Sequence, residues 1–264
     1  MNAIKSNFLI SKIYILNFFR YKVEFLMGLI AGFIPIVIQL ILWNALFKQS
    51  DNSTIFNYNH KEIISYFIFS LIINYVVQSK NHNNISQEIK EGNLDKYLCK
   101  PISNYGTWCH KEMSSKIIPI ILVFLICLVY IVINQGVNLI QNLALLLAIF
   151  NATFLSFSIY YCISMLTFPF KNITQLFMAF NLIIAFLSGG MFPLDFFKYD
   201  IYKFLLLNPF QLMLYFPIRL LQGKLTNFQI LENLILQIIW ILILIPLAKF
   251  IWNKGISKYR GKVK

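Results

Sequence analysis

Glu88-Ile-Lys-Glu-Gly-Asn-Leu-Asp-Lys-Tyr-Leu-Cys-Lys-Pro101 is the longest strongly charged run in a chain that is otherwise mostly apolar. It lies between two long hydrophobic segments, so it marks where the chain leaves the apolar medium that the rest occupies. Ile85 and Ile89 lie four apart, and Leu94, Tyr97 and Leu98 repeat at three and four, so each set forms one face of a short helix. Gly92 between them permits a bend or break. Pro101 stops the second piece, because the residue before a proline disfavours helix. Two readings follow: a solvated connector between membrane spans, or a helical knuckle presented to a soluble partner. A connector has no need of an apolar face, nor of this length.

Working outward, the apolar medium is lipid. The 264-residue chain is 58% hydrophobic and only 12% charged, with a mean hydropathy of +0.67, whereas a soluble domain carries about 25% charged residues. A spanning helix needs roughly 20 apolar residues, and the length accommodates about six once loops are allowed for. The expected fold is an all-α membrane protein in one domain over 1–264. Its six transmembrane helices fall near 25–47, 62–77, 117–133, 139–166, 173–187 and 228–251. Residues 1–22, with Lys5, Lys12, Arg20 and Lys22 among aromatic and aliphatic side chains, form an interfacial segment. Residues 80–116 form the charged loop after the second span. From 191 to 226, Pro193, Pro209 and Pro217 interrupt short apolar pieces too short to span. They read as outer re-entrant or interfacial helices between the fifth and sixth spans.

The net charge of +13 is explained by where the basic residues fall. Seventeen of the 23 lie in the N-terminal segment, the 80–116 loop, Lys171 and the C-terminal region; the other six are Lys48, Lys61, Lys198, Lys203, Arg219 and Lys224. By the positive-inside bias, both termini and the charged loop are cytoplasmic. Attraction to anionic lipid headgroups accounts for the surplus without nucleic acid.

The chain carries little that could do chemistry. No G-x-x-x-x-G-K-[ST] run occurs, so ATP has no phosphate loop here. His60, His82 and His110 lack a second histidine at helical spacing, and the four cysteines form no C-x-x-C pair, which leaves no metal or redox motif. None of the expected spans contains an acid of the kind that a proton-driven transporter uses. Their mid-span polar residues are uncharged: Gln39, Asn44, Asn74, Asn181 and Gln237. Each either bonds between helices, at roughly 1 kcal/mol, or lines a substrate path. A membrane part without its own energy source, with a loop shaped for docking, suggests a pump whose engine is a separate ATPase.

The run from Glu88 to Ile102 resembles the first cytoplasmic loop of ABC-2 type permeases, the membrane subunits of one class of ATP-binding cassette exporters. The shared pattern is an acid, then Gly-x-Leu, then Leu-x-Lys-Pro. Ser188-Gly-Gly-Met-Phe-Pro-Leu194 is similar to the family's turn after the fifth span. Asn208-Pro-Phe210, followed by Tyr215-x-Pro217 and Gly223, is similar to its outer re-entrant region. The likeness extends over nearly the whole chain, including the six-span order. It implies a permease that pairs with itself or a paralogue around a path and docks cytoplasmic ATPase subunits. ATP and Mg would be held on those partners, and this chain would hold no cofactor and no catalytic site. Ile89, Glu91, Gly92, Leu94, Leu98, Lys100 and Pro101 would then be the coupling residues, and residues 1–22 an interfacial elbow. The implied location is the bacterial cytoplasmic membrane, crossed several times. The family exports drugs, peptides, glycans and lipids, so no substrate follows. Two other readings stand beside it: a non-transporting immunity or sensor protein, and a membrane-embedded lipid-modifying enzyme. The second would need a cluster of His, Asp, Glu or Cys at one membrane surface.

Overall fold

The structure is a computed structural model that describes residues 22–49, 54–55, 58–79, 81–92, 94, 103–134, 139–170 and 173–260. The interfacial segment expected at 1–22 lies, but for Lys22, outside them. The chain opens with α1 (Lys22–Gln49), a small antiparallel hairpin of β1 (Thr54–Ile55) and β2 (Tyr58–Asn59), α2 (His60–Val77) and α3 (His82–Glu91). Then follow α4 (Asn104–Asn134), α5 (Leu139–Ser164) and α6 (Thr174–Leu187). Short helices α7 (Tyr199–Leu207) and α8 (Tyr215–Leu221) precede the closing α9 (Asn227–Arg260).

Among the described residues, four stretches are long and apolar enough to cross a membrane: His60–Glu91, Asn104–Ile133, Ile140–Thr167 and Asn227–Ser257. The 28 residues of α1 extend roughly 42 Å at 1.5 Å per residue, against a hydrocarbon core of about 30 Å. The 14 residues of α6 reach only about 21 Å. The side-chain contacts sort the helix ends into two groups. At one end Asn44 of α1 meets His60 of α2, and Gln141 at the start of α5 donates to the Leu220 carbonyl of α8. At the other, Tyr161 of α5 donates to Asn104, which opens α4, and Gly255 of α9 lies against Phe168. The helices therefore run alternately up and down.

α5 is the axle. Ala144, Ala148 and Ala152 recur every four residues and are buried, as are Leu145, Ile149 and Leu155. Small side chains at that spacing let neighbouring backbones come close. α9 packs along α5, and Gln237 reaches across to donate to the Ala148 carbonyl at 3.1 Å. The outward faces of α4 and α9 carry exposed Ile121, Leu125, Val129, Leu231, Ile238 and Leu242, which suits contact with lipid.

The charged stretch departs from the sequence reading. Residues 104–116, expected within a loop, are the first turns of α4. Helix is possible there because the polar side chains find partners inside the protein. Glu112 is 1% exposed and pairs with Lys116, one helical turn on, at 2.8 Å. Asn81 donates to the second carboxylate oxygen at 2.5 Å, while Tyr105 and Trp108 are buried beside Phe157 and Tyr161. The helix that continues into the expected third span thus begins with a buried carboxylate, Glu112, paired with Lys116.

Between α6 and α9 the backbone is broken, and side chains satisfy it. Trp240 Nε1 donates to the Leu207 carbonyl at 3.1 Å, Gln211 Nε2 to Leu206 at 3.0 Å, and Gln237 Nε2 to Leu212 at 3.0 Å. Gln237 thus puts Leu212 level with Ala148, nine residues into α5. That is roughly 13 Å along the helix axis.

Candidate functional site

Three of the five mid-span polar residues come together. Gln39 of α1, Asn74 of α2 and Asn181 of α6 line a cavity of about 420 Å³ that also touches α5 and the turn after α6. Asn181 Oδ1 accepts from the Tyr160 hydroxyl at 2.6 Å, and Gln39 Nε2 donates to the Met191 carbonyl at 3.2 Å. Ser70, Tyr75, Gln78 and Ser188 add hydroxyl and amide groups, and Pro35, Leu71, Leu182, Met213 and Leu214 supply apolar wall. The other two polar residues lie elsewhere. Asn44 accepts from His60 at 2.5 Å beside the hairpin, and Gln237 is fully buried, stitching α9 to α5 and to Leu212.

A glycine turn roofs the cavity. Gly189 has φ +80°, a conformation that side chains disfavour, and its carbonyl accepts from the Tyr66 hydroxyl at 2.7 Å. A Cβ there would sit 2.8 Å from the Tyr66 oxygen and 3.2 Å from Tyr215 Cβ. Just beyond the turn, Asp195 collects three donors from distant parts of the chain. Tyr58 donates to Oδ2 at 2.5 Å and Tyr215 to Oδ1, while the Arg219 guanidinium pairs with Oδ2 at 3.2 Å. Burial pushes the Tyr58 and Tyr215 phenols up, and the Asp195 carboxylate pushes them further, so both stay protonated and keep donating. Lys224 pairs with Glu62 at 2.8 Å and sits 3.9 Å above the Tyr58 ring. This outer knot joins the hairpin, the α6–α7 link and α8. Sequence reading counted Arg219 among the basic residues and did not single out Asp195. The available signal was an arginine inside the apolar Tyr215–Leu221 helix.

At the floor, Gln78 lines the cavity and its carbonyl accepts from Lys116 Nζ at 2.9 Å; the Val77 carbonyl accepts from the same amine at 3.2 Å. A lysine on the last carbonyls of α2 suits the negative end of that helix. Beyond this elbow lies α3, where Gly92 takes φ +75° and its N–H bonds the Glu88 carbonyl. The apolar face of α3 is turned into the protein, as is Leu94 beyond its end: Ile85, Ile89 and Leu94 are 2%, 6% and 1% exposed, packed with Tyr105, Trp108 and Phe157. Asn83, Asn84, Gln87, Lys90 and Glu91 are exposed instead, with Gln87 donating to Glu91 at 2.8 Å. Leu98, Lys100 and Pro101 lie outside the described residues.

Compared with known families, residues 33–262 match the family model described as ABC-2 family transporter protein. No curated protein matches the chain.

Proposed function

The chain belongs to the ABC-2 family of transporter permeases, and from that premise we propose that it is the export permease of an ATP-driven pump, with α3 as the element that docks the ATPase. Two copies, or this chain and a paralogue, enclose the path in the bacterial cell membrane. ATP and Mg are bound and hydrolysed on separate cytoplasmic subunits. Six spans, with α1 and the short α6 counted among them, leave both termini cytoplasmic. The dip of Leu212 to the level of Ala148 supports a re-entrant reading of 191–226.

The observation that carries the proposal is the two-faced α3. Its apolar side is sealed against the chain's own core and its polar side is open at the end that the basic residues assign to the cytoplasm. Ile89 and Leu94 therefore hold the coupling element to the permease, while Gln87, Lys90 and Glu91 meet the partner. Gly92 ends the helix, and Leu98, Lys100 and Pro101 follow it in sequence as the remaining coupling residues. Motion of α3 reaches the cavity floor through Asn81, Glu112 and Lys116.

The test is a cysteine at Gln87 in a cysteine-free background. It should crosslink to the ATPase subunit in the purified complex, and it should resist an impermeant thiol reagent in intact cells. A cysteine at Lys198 should react with that reagent. Labelling at Gln87 from outside, or a stimulated complex in which Gln87 never crosslinks, would remove α3 from the coupling role.

A further inference from the structure

The cavity beneath the glycine turn has a chemistry that selects among substrates. Its polar groups are the amides of Gln39, Asn74, Gln78 and Asn181 and the hydroxyls of Ser70, Tyr75, Tyr160 and Ser188. No Asp, Glu, Lys, Arg or His lines it among the described residues. The α1 segment that borders it, Phe25–Phe47, is uncharged throughout. Two ion pairs among the described residues flank the cavity and are each closed on themselves: Asp195 with Arg219 above the roof, and Glu112 with Lys116 below the floor. A charged guest would leave water and meet no counter-charge, which is costly at membrane depth. An uncharged guest with hydroxyl or amide groups meets matched donors and acceptors. Its apolar part meets Pro35, Leu71, Leu182, Met213 and Leu214. About 420 Å³ falls within the range that holds a drug-sized molecule.

We propose that this cavity takes a neutral amphipathic molecule, with several hydroxyl or amide groups on one part and a hydrocarbon part on the other, and that Asn74 and Asn181 discriminate it from charged amphiphiles. The inference rests on the transport reading above. Asn181 has one carbonyl oxygen engaged by Tyr160, which fixes its amide and leaves the amine end for the guest. Asn74 is exposed at the cavity wall. Replacing either with an acid supplies the missing counter-charge, and replacing both with leucine removes the polar half of the recognition.

The full chain, reconstituted in phosphatidylcholine nanodiscs, is photolabelled with three alkyl-diazirine probes. They share one chain and carry a glucosyl, a trimethylammonium or a sulfonate head, and labelled peptides are mapped by mass spectrometry. Hexyl and hexadecyl versions separate capture from water and capture from the bilayer. The glucosyl probe should label the cavity segments at 70–78 and 181–191 at least tenfold more than either charged probe. Labelling should fall at least tenfold in the Asn74→Leu, Asn181→Leu double variant. Asn181→Asp should turn the preference toward the trimethylammonium head; Gln39→Glu, tested alongside, gives the same readout if the first variant does not fold. Charged probes that label the cavity as strongly as the glucosyl probe would overturn the proposal, as would glucosyl labelling confined to α4 and α9. The two readings fail separately. Loss of cavity selectivity with intact Gln87 crosslinking sinks the substrate class alone, and selectivity without crosslinking sinks the coupling role alone.

Discussion

Two carboxylates bracket the cavity, Glu112 buried and Asp195 partly so, and they are held in opposite ways. Asp195, at the hairpin end, is held by residues 137, 20 and 24 positions away: Tyr58, Tyr215 and Arg219. Glu112, at the opposite end, is held chiefly by Lys116 one turn along the same helix, with Asn81 as its bond across the elbow. The outer knot is a tertiary lock that ties loops whose backbone is otherwise irregular. The inner pair is a local neutralisation that lets a charged helix enter apolar surroundings and passes a cation to the carbonyls of α2. One should therefore govern whether the fold stands, the other how its two ends communicate.

The sharpest way to break this comparison is to remove Asp195. Asp195→Leu leaves the Arg219 guanidinium buried without its counter-charge, and breaking such a pair typically costs about 3 kcal/mol or more. Thermal unfolding of the purified permease should shift strongly downward. The double variant Asp195→Leu, Arg219→Met should regain much of that loss, because no unpaired charge remains. If the double variant is no more stable than the single, the knot is not an ion-pair lock.

A somewhat smaller effect is expected at Leu94. Truncation to alanine opens a cavity in the cluster with Ile85, Ile89 and Trp108 and should cost about 2–3 kcal/mol of permease stability. ATPase should remain bound at permissive temperature, because the side chain faces inward. Release of the ATPase from a permease of unchanged stability would mean that Leu94 points toward the partner. At the roof, Gly189→Ala adds both left-handed strain and the close approach to Tyr66, for about 1–2 kcal/mol. Adding Tyr66→Phe relieves the contact but not the strain, so the pair of variants separates the two causes.

The smallest effect belongs to pH. Burial and Asp195 raise the Tyr58 and Tyr215 phenols above their usual value. Their stabilisation is complete below the unfolded value of about 10 and is lost as pH rises past it. Stability should be flat with respect to the phenols from pH 7 to 9 and should fall above about pH 10. In Tyr58→Phe the alkaline fall should be shallower, measured by the unfolding midpoint across that range.

Much of this architecture was legible in the sequence, because lipid imposes a simple rule on it. Runs of apolar residues near 60–77, 140–166 and 228–251 read directly as membrane helices, and the Ile85–Ile89 spacing read as a short helix ended at Gly92. The cavity was half legible: Gln39, Asn74 and Asn181 stood out as amides in apolar runs, but nothing in their spacing said that Asn44 and Gln237 would face elsewhere. That depends on how α1 and α9 are rotated about their axes, which packing against α5 sets. The start of α4 was not legible, because Glu112, Lys116 and His110 look like loop residues until Asn81 and the end of α2 are brought beside them. The outer knot was not legible either, since Tyr58, Asp195 and Arg219 meet only once the fold exists.

The division between α5 and the cavity wall bears on how such a protein can change over generations. Ala144, Ala148 and Ala152 on the axle accept nothing larger without prising helices apart, so this stripe should be nearly silent to variation. The cavity draws most of its lining from α1, α2, α6 and the turn after α6, and only Tyr160 from α5. Selectivity can therefore drift, one amide or leucine at a time, on a frame that stays put. A lineage could exchange its cargo while keeping its engine.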